Sequence, residues 1–591
     1  MSASPRYLPK LALSLLLISQ TAALAIPAPG LGIFPKVQLT ALGEKATAGD
    51  AEAAGQIFDR AIATADNIEE VTAKIDVLAD IAVKLAEVGE TTRSQQLFER
   101  TIELSKQSRE NFTLHEQEQV WRDLSVKMVQ AGFTGQGLQF SKRILTDIVE
   151  AEALNNIATV LIAKGQPEVA KTTLVQAVAK AKSITGEYAY ESNGSCGNDK
   201  FALFAKIAVN LSALSQLEQA LQSASNITNC SSANGESGQE YQTWAFMGIL
   251  THLANAQQLN QTWQVAQTAP DAEVWSAIAV KSIDLGELEL AQSVADKLAA
   301  DIPTIKTIDS GFAGRKYGIK EYAQRRIAVK FAEAGKFERA LQIAKTIYNP
   351  TSEEIKSNET LGRFIQPSIQ DLTTIDIASQ FAKNNQLESG LQLVDGLTEQ
   401  YSKSAGIIAI AKSLQSIGQT ETAEKLLSES LQLPPIPAAD DYNNNKSMID
   451  LAGSLASIGK VDRGLEIARS LKNGSYKQDA IAQIATQLAS LGQLEQSLKI
   501  ANTLIGSGWR EYILSEIATK FIKLDQPESA LKIIQSLSEE SKQYISFEIA
   551  ESFTKQGKTA QALQIAETLT DRGNKSLALA NIAAKYLSNK S

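Results

Sequence analysis

The sequence predicts an all-α fold, a right-handed α-solenoid of about thirteen antiparallel helix pairs. Two observations lead to this prediction. An Ile-Ala pair with a Gly seven residues after the Ala recurs along the 591 residues, as in Ile81–Gly89, Ile327–Gly335 and Ile484–Gly492. Most copies are followed by a second apolar stretch, such as ERALQIAKTI or EQSLKIANTL. A unit of this length repeated from end to end is typical of a solenoid, which grows without adding separate cores.

The first stretch of each unit has the pattern of an amphipathic helix. Its opening residue is always Ile or Leu: Ile81, Leu124, Ile157, Ile207, Ile249, Ile278, Ile327, Ile377, Ile410, Leu451, Ile484, Ile517 and Ile549. The next residue is Ala in eleven copies, and a large apolar residue such as Leu85 or Phe331 usually stands four positions after the opening one. This i, i+4 spacing predicts a buried stripe, and the small Ala allows a neighbouring helix to approach closely.

A short turn and a second helix complete each unit. The turn usually holds Gly, or a turn-tolerant residue such as Asn385 or Asp525, as expected after a helix C-terminus. A small residue such as Ala340 or Ala562 follows five positions after the turn. From Leu451 onward the units are spaced by 32 or 33 residues, whereas several earlier spacings approach 50. The longer spacings indicate longer loops between helix pairs.

These residues resemble the tetratricopeptide (TPR) repeat. Ile-Ala stands where that family has Leu-Gly, the turn Gly and the following Ala match in place, and Trp121 and Trp275 fall on the family's opening Trp position. Ala mostly replaces the family's first Gly and the terminal Pro is mostly missing, so the chain is similar to a divergent TPR-like solenoid. The resemblance covers roughly Ala41 to the C-terminus. It implies TPR-like helix pairs whose first helices line a concave groove that takes ligands.

The repeat also predicts the domain organisation. An N-terminal half-repeat and cap is expected over residues 26–70, a TPR-like solenoid with long inter-repeat loops over 71–432, and a Pro/Asn-rich linker loop over 433–447. More regular repeats occupy 448–591 and end in a C-terminal capping helix.

The first 25 residues have the features of a secretory signal peptide. Arg6 and Lys10 precede an apolar stretch from Leu11 to Ile18, and small residues at Ala23-Leu24-Ala25 suit cleavage before Ile26. The apolar stretch is short for a membrane span and is followed by Ser19. We therefore expect an exported protein, in a periplasm or a comparable lumen, whose mature chain does not span the membrane. The sequence has the look of a bacterial protein.

Composition argues against two classes of function. The formal net charge of −9 disfavours nucleic-acid binding, which needs a basic stripe. The chain has two histidines, far apart, and no HExxH, GxSxG, P-loop or dinucleotide motif. We therefore expect no enzymatic activity, no catalytic residues, no cofactor and no metal site. The oligomeric state is left open.

Two cysteines, Cys196 and Cys230, lie in Gly/Ser/Asn-rich stretches one repeat apart. Equivalent loops of adjacent repeats share one edge of a solenoid, and exported proteins retain disulfides. A disulfide between them is the favoured interpretation, with two unpaired surface thiols as the alternative.

The TPR resemblance implies which residues bind a partner. Its groove positions, carried over to this chain, are Arg122, Trp244, Met247, Tyr322, Arg325, Tyr512, Tyr544 and Phe547. The loop GFAGRKYGIKEYAQRR adds a basic-aromatic cluster that includes Arg315, Lys316 and Tyr317. Tyr, Trp and Arg often contribute most to interface energy. For each of these residues, packing against a neighbouring helix is the alternative.

Two functions follow as expectations. The first is an exported, non-enzymatic protein–protein interaction scaffold that binds a protein or peptide in its groove. The alternative is a cell-envelope module that binds anionic polysaccharide or assists a wall-processing enzyme, using the basic-aromatic cluster. Ionic strength distinguishes them, because binding by Arg315, Lys316 and Arg325 would weaken steeply with salt.

Overall fold

The computed structural model describes residues 48–107, 112–184, 198–227, 237–268, 271–302, 319–349, 368–398, 400–430, 442–471 and 474–588. Within these ranges the chain forms 28 α-helices and no strands. The prediction of an all-α fold of about thirteen helix pairs is confirmed. The signal peptide over residues 1–25 lies outside the described residues, as do Cys196, Cys230, Arg315, Lys316 and Tyr317.

The helices alternate between the two types that the repeat predicts. We call the helix that carries the Ile-Ala pair the A helix and the one that follows it the B helix. The A helices are α2 (Val71–Glu87), α4 (Leu114–Gln130), α6 (Asp147–Ala163), α8 (Asn198–Ala213), α10 (Ser237–His252), α12 (Ala272–Asp284), α14 (Ile319–Glu333), α16 (Ile369–Lys383), α18 (Gln400–Ser416), α20 (Tyr442–Ser457), α22 (Gly474–Ser490), α24 (Ser507–Lys523), α26 (Glu539–Lys555) and α28 (Arg572–Ser588).

The B helices are shorter on average and alternate strictly with the A helices. They are α3 (Thr91–Gln107), α5 (Thr134–Ser141), α7 (Pro167–Ser183), α9 (Leu217–Ser225), α11 (Ala256–Ala266), α13 (Leu288–Asp301), α15 (Phe337–Thr346), α17 (Leu387–Asp395), α19 (Thr420–Ser430), α21 (Val461–Ser470), α23 (Leu494–Ala501), α25 (Pro527–Ile533) and α27 (Thr559–Thr568). One further helix, α1 (Ala48–Asp66), precedes the first A helix. Because α20 begins at Tyr442, the end of the linker expected over 433–447 is helical.

The helices are divided between two compact units. Of the described residues, unit 1 contains 48–53, Ser105–Leu253 and 587–588, and unit 2 contains Ala54–Leu104 together with Ala254–Tyr586. Within each unit an A helix packs against its own B helix and against the next A helix, as α4 does with α5 and α6, and as α12 does with α13 and α14. Unit 2 thus contains residues from both the first and the last described helices of the chain.

The A and B helices of a pair meet at the small residues that the sequence singles out. The opening Ile and the following Ala are fully buried in most pairs, for example Ile327 and Ala328. A methyl group on Gly464 of α21 would lie 2.7 Å from the carbonyl oxygen of Ala452 of α20. In another pair, the hydroxyl of Ser497 donates to the carbonyl of Ala485 at 2.8 Å. Small residues are required here because the B helix lies directly on the backbone of the A helix.

The turns confirm the helix ends predicted from Gly, Asn and Asp. Gly335 has a φ of +72°, and Asn385 and Asp525 take the same left-handed conformation with φ values of +60° and +59°. The amide of Gln386 then donates to the carbonyl of Phe381 at 2.9 Å, the bond that closes a Schellman turn. This turn reverses the chain from an A helix into its B helix.

A hydrogen bond from the first part of an A helix holds the loop that follows its B helix. The amide of Ile505 donates to Gln478 at 2.7 Å, and the amide of Thr570 donates to Gln543 at 2.7 Å. In unit 1 the buried carboxylate of Glu118 accepts from the amides of Leu145 and Thr146 at 2.9 and 3.0 Å. In these three pairs the bond joins the start of the A helix to the loop after its B helix.

None of the helices in the described ranges is both long enough and apolar enough to cross a membrane.

The contact at Gly464 gives a stability test. We expect Gly464→Val to lower the free energy of unfolding by about 1–3 kcal/mol, because its side chain must displace the carbonyl of Ala452. The control is Gly474→Val, since Gly474 is exposed and has open space around its Cβ position. Urea unfolding followed by circular dichroism measures both. Equal midpoints for the two variants would contradict the close approach of α20 and α21.

Candidate functional site

An open pocket lies on unit 2 where the A helices α20, α22 and α24 run side by side. Its volume is about 260 Å³. Its walls combine aromatic rings, aliphatic and small polar side chains, and charged groups. The lining residues are Lys446, Ile449, Tyr476, Asp479, Ala482, Gln483, Thr486, Trp509, Tyr512, Ile513 and Glu516.

Two exposed aromatic rings form one wall of the pocket. Trp509 and Tyr512 lie one turn apart on α24, and their rings stack with centroids 5.5 Å apart and an interplanar angle of 17°. Their exposed fractions are 40% and 55%. Single exposed apolar side chains are common, but two stacked rings beside a concavity present a continuous apolar surface. The ring of Tyr476 on α22 extends this lining to the neighbouring A helix.

The pocket is lined by one cationic and two anionic side chains. Lys446 supplies an ammonium group, which is 3.2 Å from the carboxylate of Asp450 on the same helix. Asp479 and Glu516 supply two carboxylates that line the pocket. In the part of the chain that the structure describes, neither carboxylate takes part in an ion pair. Among the described residues, the pocket therefore has two carboxylates that take part in no ion pair.

Close packing of two A helices forms the pocket's base. A methyl group on Gly453 of α20 would lie 2.6 Å from Cγ of Gln483 on α22. Gly453 thus lets α20 approach α22, and Gln483 remains at the lining. Ile449 and Ile513 are buried beneath the rim, at 5% and 2% exposure. This fixed base holds the aromatic rings and carboxylates on a rigid support.

The next A helix, α26, continues the surface with half-buried carboxylates. Tyr544 is half exposed, and burial, followed by the carboxylate of Glu548, raises its pKa to about 12. Burial also raises the pKa of Glu548 and of Glu551. Glu551 accepts a hydrogen bond from Asn581 Nδ2 of α28 at 3.3 Å. Carboxylates in this environment favour their neutral form more than exposed ones do.

Three of the predicted partner-binding residues belong to unit 1. Arg122 of α4 is half-buried, with Nε 2.8 Å from Asp123 and a terminal nitrogen 3.1 Å from Glu152. Burial opposes its charge, but the two carboxylates outweigh this effect and raise the pKa of Arg122. Trp244 and Met247 lie one turn apart on α10 and are half-buried. Arg122 is therefore engaged with its own unit.

Five predicted residues lie on A helices of unit 2. On α14, Tyr322 is 49% exposed, while Nε and a terminal nitrogen of Arg325 are each 2.8 Å from the same oxygen of Asp376 on α16. On α26, Tyr544 is half exposed and Phe547 is half-buried. Tyr512 is the predicted residue that lies in the pocket. Of these five, the ion pair gives Arg325 a clear structural partner.

Sequence reasoning missed most of the pocket lining, including Tyr476, Asp479, Trp509 and Glu516. The positions carried over from the TPR family lie five and two residues before the opening Ile of a unit. Tyr476 and Trp509 both lie eight residues before it, one turn further towards the helix N-terminus. Trp509 could have been predicted from its i, i+3 spacing to Tyr512, which places both rings on one face of the helix.

The lining offers two kinds of contact to a ligand. Aromatic faces attract cations through the ring quadrupole, and carboxylate oxygens accept charge-assisted hydrogen bonds from ammonium or guanidinium groups. Within the described ranges, no group of three or more His, Cys, Asp or Glu side chains is arranged to hold a metal ion.

Comparisons with known proteins show a distant structural likeness. No family model and no curated protein matches the chain. Among solved structures, it is similar to the maize pentatricopeptide repeat protein PPR10, at 10% identity and a TM-score of 0.27, covering 83% of this chain and 67% of that one. It is also similar to Ton1535 from Thermococcus onnurineus, at 15% identity and a TM-score of 0.24, covering 74% of this chain and 99% of that one.

The TPR domain of P58(IPK) is a third similar structure, at 12% identity and a TM-score of 0.15, covering 75% of this chain and 99% of that one. Likeness at TM-scores this low says nothing about what the chain binds. The assignment of a TPR-like fold rests on the helix pairs, their turns and their small-residue contacts.

The carboxylate of Glu551 gives a pH-dependence test. Burial raises the pKa of Glu551 in the folded state above its ordinary value of 4.5. Glu548 adds to this rise, whereas Lys555 and Lys84 oppose it. Because the unfolded chain then ionises more readily than the folded one, the protein loses stability as the pH rises above 4.5. We expect Glu551→Gln, which keeps an acceptor for Asn581, to raise the unfolding temperature at pH 7. The gain should shrink below pH ~4.5, where Glu551 is itself protonated.

Differential scanning fluorimetry between pH ~4 and ~8 measures the difference in unfolding temperature between the variant and the wild type. The exposed Glu540→Gln is the matched control. A variant no more stable than wild type at pH 7, or an equal gain from the control, would contradict the burial of a charged carboxylate at this position.

Proposed function

We propose that this protein is an exported, non-enzymatic interaction scaffold that binds a partner protein through a peptide segment seated in the pocket of α20, α22 and α24. The observation that carries the proposal is the stacked, exposed pair Trp509–Tyr512 beside that pocket. Aromatic side chains of this kind dominate the binding energy of many interfaces because a ligand removes a large apolar area from water.

The charges of the pocket specify the kind of peptide. Asp479 and Glu516 face the same space as the aromatic pair, while Lys446 is engaged with Asp450. A Lys or Arg side chain of the partner would satisfy both features, lying against a ring and donating to a carboxylate. The segment that fits is therefore a basic peptide with apolar flanking residues.

The same features support the non-enzymatic part of the proposal and the exclusion of nucleic acid. The chain has two histidines and no catalytic motif, and the pocket lining offers binding groups. A net charge of −9 and a carboxylate-lined pocket would repel a phosphate backbone.

The alternative, binding of anionic polysaccharide, has less support. It depends on Arg315 and Lys316, which lie outside the described residues, and on Arg325. The guanidinium of Arg325 is already paired with Asp376.

A random peptide library displayed on phage tests the binding proposal. We expect selection on the full chain to enrich peptides with Lys or Arg beside apolar residues. Trp509→Ala and Tyr512→Ala should each bind a selected peptide about tenfold more weakly or worse, the loss typical of an aromatic hot spot. Asp479→Asn combined with Glu516→Gln should remove the preference for basic residues.

The control for this experiment is Ile505→Ala, because Ile505 is 77% exposed and lies outside the pocket lining. Selection of acidic peptides, or unchanged affinity in Trp509→Ala, would refute the pocket as the binding site.

Export is the part of the proposal that rests on sequence alone, on Arg6, Lys10 and the apolar stretch that follows them. We expect the protein isolated from its native cells to begin at Ile26, because Ala23-Leu24-Ala25 suits cleavage there. N-terminal peptide mass spectrometry measures this. A native protein that retains Arg6 and Lys10 would contradict cleavage.

A further inference from the structure

We infer that the first and last described helices together form one repeat, in which α1 is the B helix of the A helix α28. The interaction is between segments more than 500 residues apart, since Arg572 contacts Asn67 at a separation of 505. The residues whose contacts carry this pairing all belong to unit 2, and the pairing does not depend on the proposed function. Four observations support it.

First, α28 is buried like an A helix in the middle of the array. Ile582 and Ala583, at its Ile-Ala position, are 1% and 0% exposed, as Ile549 and Ala550 are at 0% in α26. Within the described residues, no B helix follows α28 in sequence. The sequence predicts a capping helix here, and the burial shows that other helices of the chain cover it.

Second, α1 has the residue spacing of a B helix. The fully buried residues of α7 include Ala170, Leu174, Ala177 and Ala181, at intervals of four, three and four. The fully buried residues of α1 follow the same intervals: Ala54, Phe58, Ala61 and Ala65. Ala54 thus occupies the small-residue position that lies against an A-helix carbonyl in other pairs. No A helix precedes α1 within the described residues.

Third, α1 lies between two other B helices. Arg60 forms an ion pair with Glu567 of α27 on one side. On the other side, Arg93 of α3 lies 2.5 Å from Asp59, and Arg100 of α3 pairs with Asp66. An ion pair also joins neighbouring B helices elsewhere: Arg339 of α15 lies 2.7 Å from Glu289 of α13. The order α27, α1, α3 therefore continues the row of B helices.

Fourth, the start of α28 holds the loop after α1. In other pairs the early A helix bonds to the loop that follows its own B helix, as Gln543 does with Thr570. Here Arg572 donates to the carbonyl of Asn67 and lies 3.4 Å from Glu69, both in the loop between α1 and α2. A methyl group on Gly573 would lie 3.7 Å from Val77 of α2, so α2 follows α28 as the next A helix.

Together these contacts assign a partner within the chain to each of the two helices. The apolar face of α28 is occupied by α1 in the same molecule, and α2 continues the stack. The face is therefore not free to stack a second copy.

Zero-length carbodiimide cross-linking of the full chain tests the pairing. The substitution Arg60→Lys introduces an amine that can form an amide with the carboxylate of Glu567, the ion-pair partner of Arg60 in α27. We expect a peptide that links position 60 to Glu567 in the monomer fraction of this variant. Lys575, 2.8 Å from Glu567, provides the internal control cross-link. Finding only the control link, or finding the link from position 60 only in covalent dimers, would overturn the inference.

Hydrogen exchange of the full chain tests the coupling between the two helices. Phe58→Asp places a charge in the buried face of α1, and we expect the amides of Leu579 and Ile582 in α28 to exchange on the order of tenfold faster. The exposed Gln56→Asp on the same helix is the matched control and should leave α28 unchanged. Faster exchange in α1 with unchanged protection in α28 would overturn the shared repeat.

Discussion

The structure depends on one packing constraint, the contact between each B helix and the backbone of its A helix. The residue twelve positions after the second member of the Ile-Ala pair lies against that member's carbonyl. The hydroxyl of Ser94 donates a hydrogen bond of 2.7 Å to the carbonyl of Ala82. At Gly390 there is no side chain, and an added methyl group would lie 2.7 Å from the carbonyl oxygen of Ala378. A larger side chain there would push the two helices apart, at a cost of about 1–3 kcal/mol per pair.

Because this constraint fixes the interior, surface positions of the A helices can differ from one repeat to the next. Positions eight, five and one residue before the opening Ile carry Tyr476 and Asp479 in one repeat, and Trp509, Tyr512 and Glu516 in the next. The backbone at these positions is held by the same pairs throughout. The helix pairs thus act as a rigid support on which a few substitutions create the pocket.

Much of the fold could be predicted from the sequence, because its determinants are local. The Ile-Ala stripe, the turn residues and the small B-helix residues all lie within one unit. The pocket was only partly predicted. Tyr512 was expected, whereas Trp509 lies one turn beyond the positions that the family resemblance implies. Arg325 was expected to bind a partner, but it pairs with Asp376, 51 residues away. That pairing depends on how adjacent repeats pack, which the sequence of one unit does not determine.

The contact between Arg572 and Asn67 has a consequence for how the chain folds. Most contacts in a repeat array are local, so its pairs can form in sequence order with little loop-closure entropy. The helix α1 is different, because its partner α28 is synthesised about 500 residues later. Until then the apolar face that includes Phe58 has no A helix to cover it. Because non-local pairings form more slowly than local ones, we expect the pairing of α1 with α28 to follow the formation of the intervening repeats.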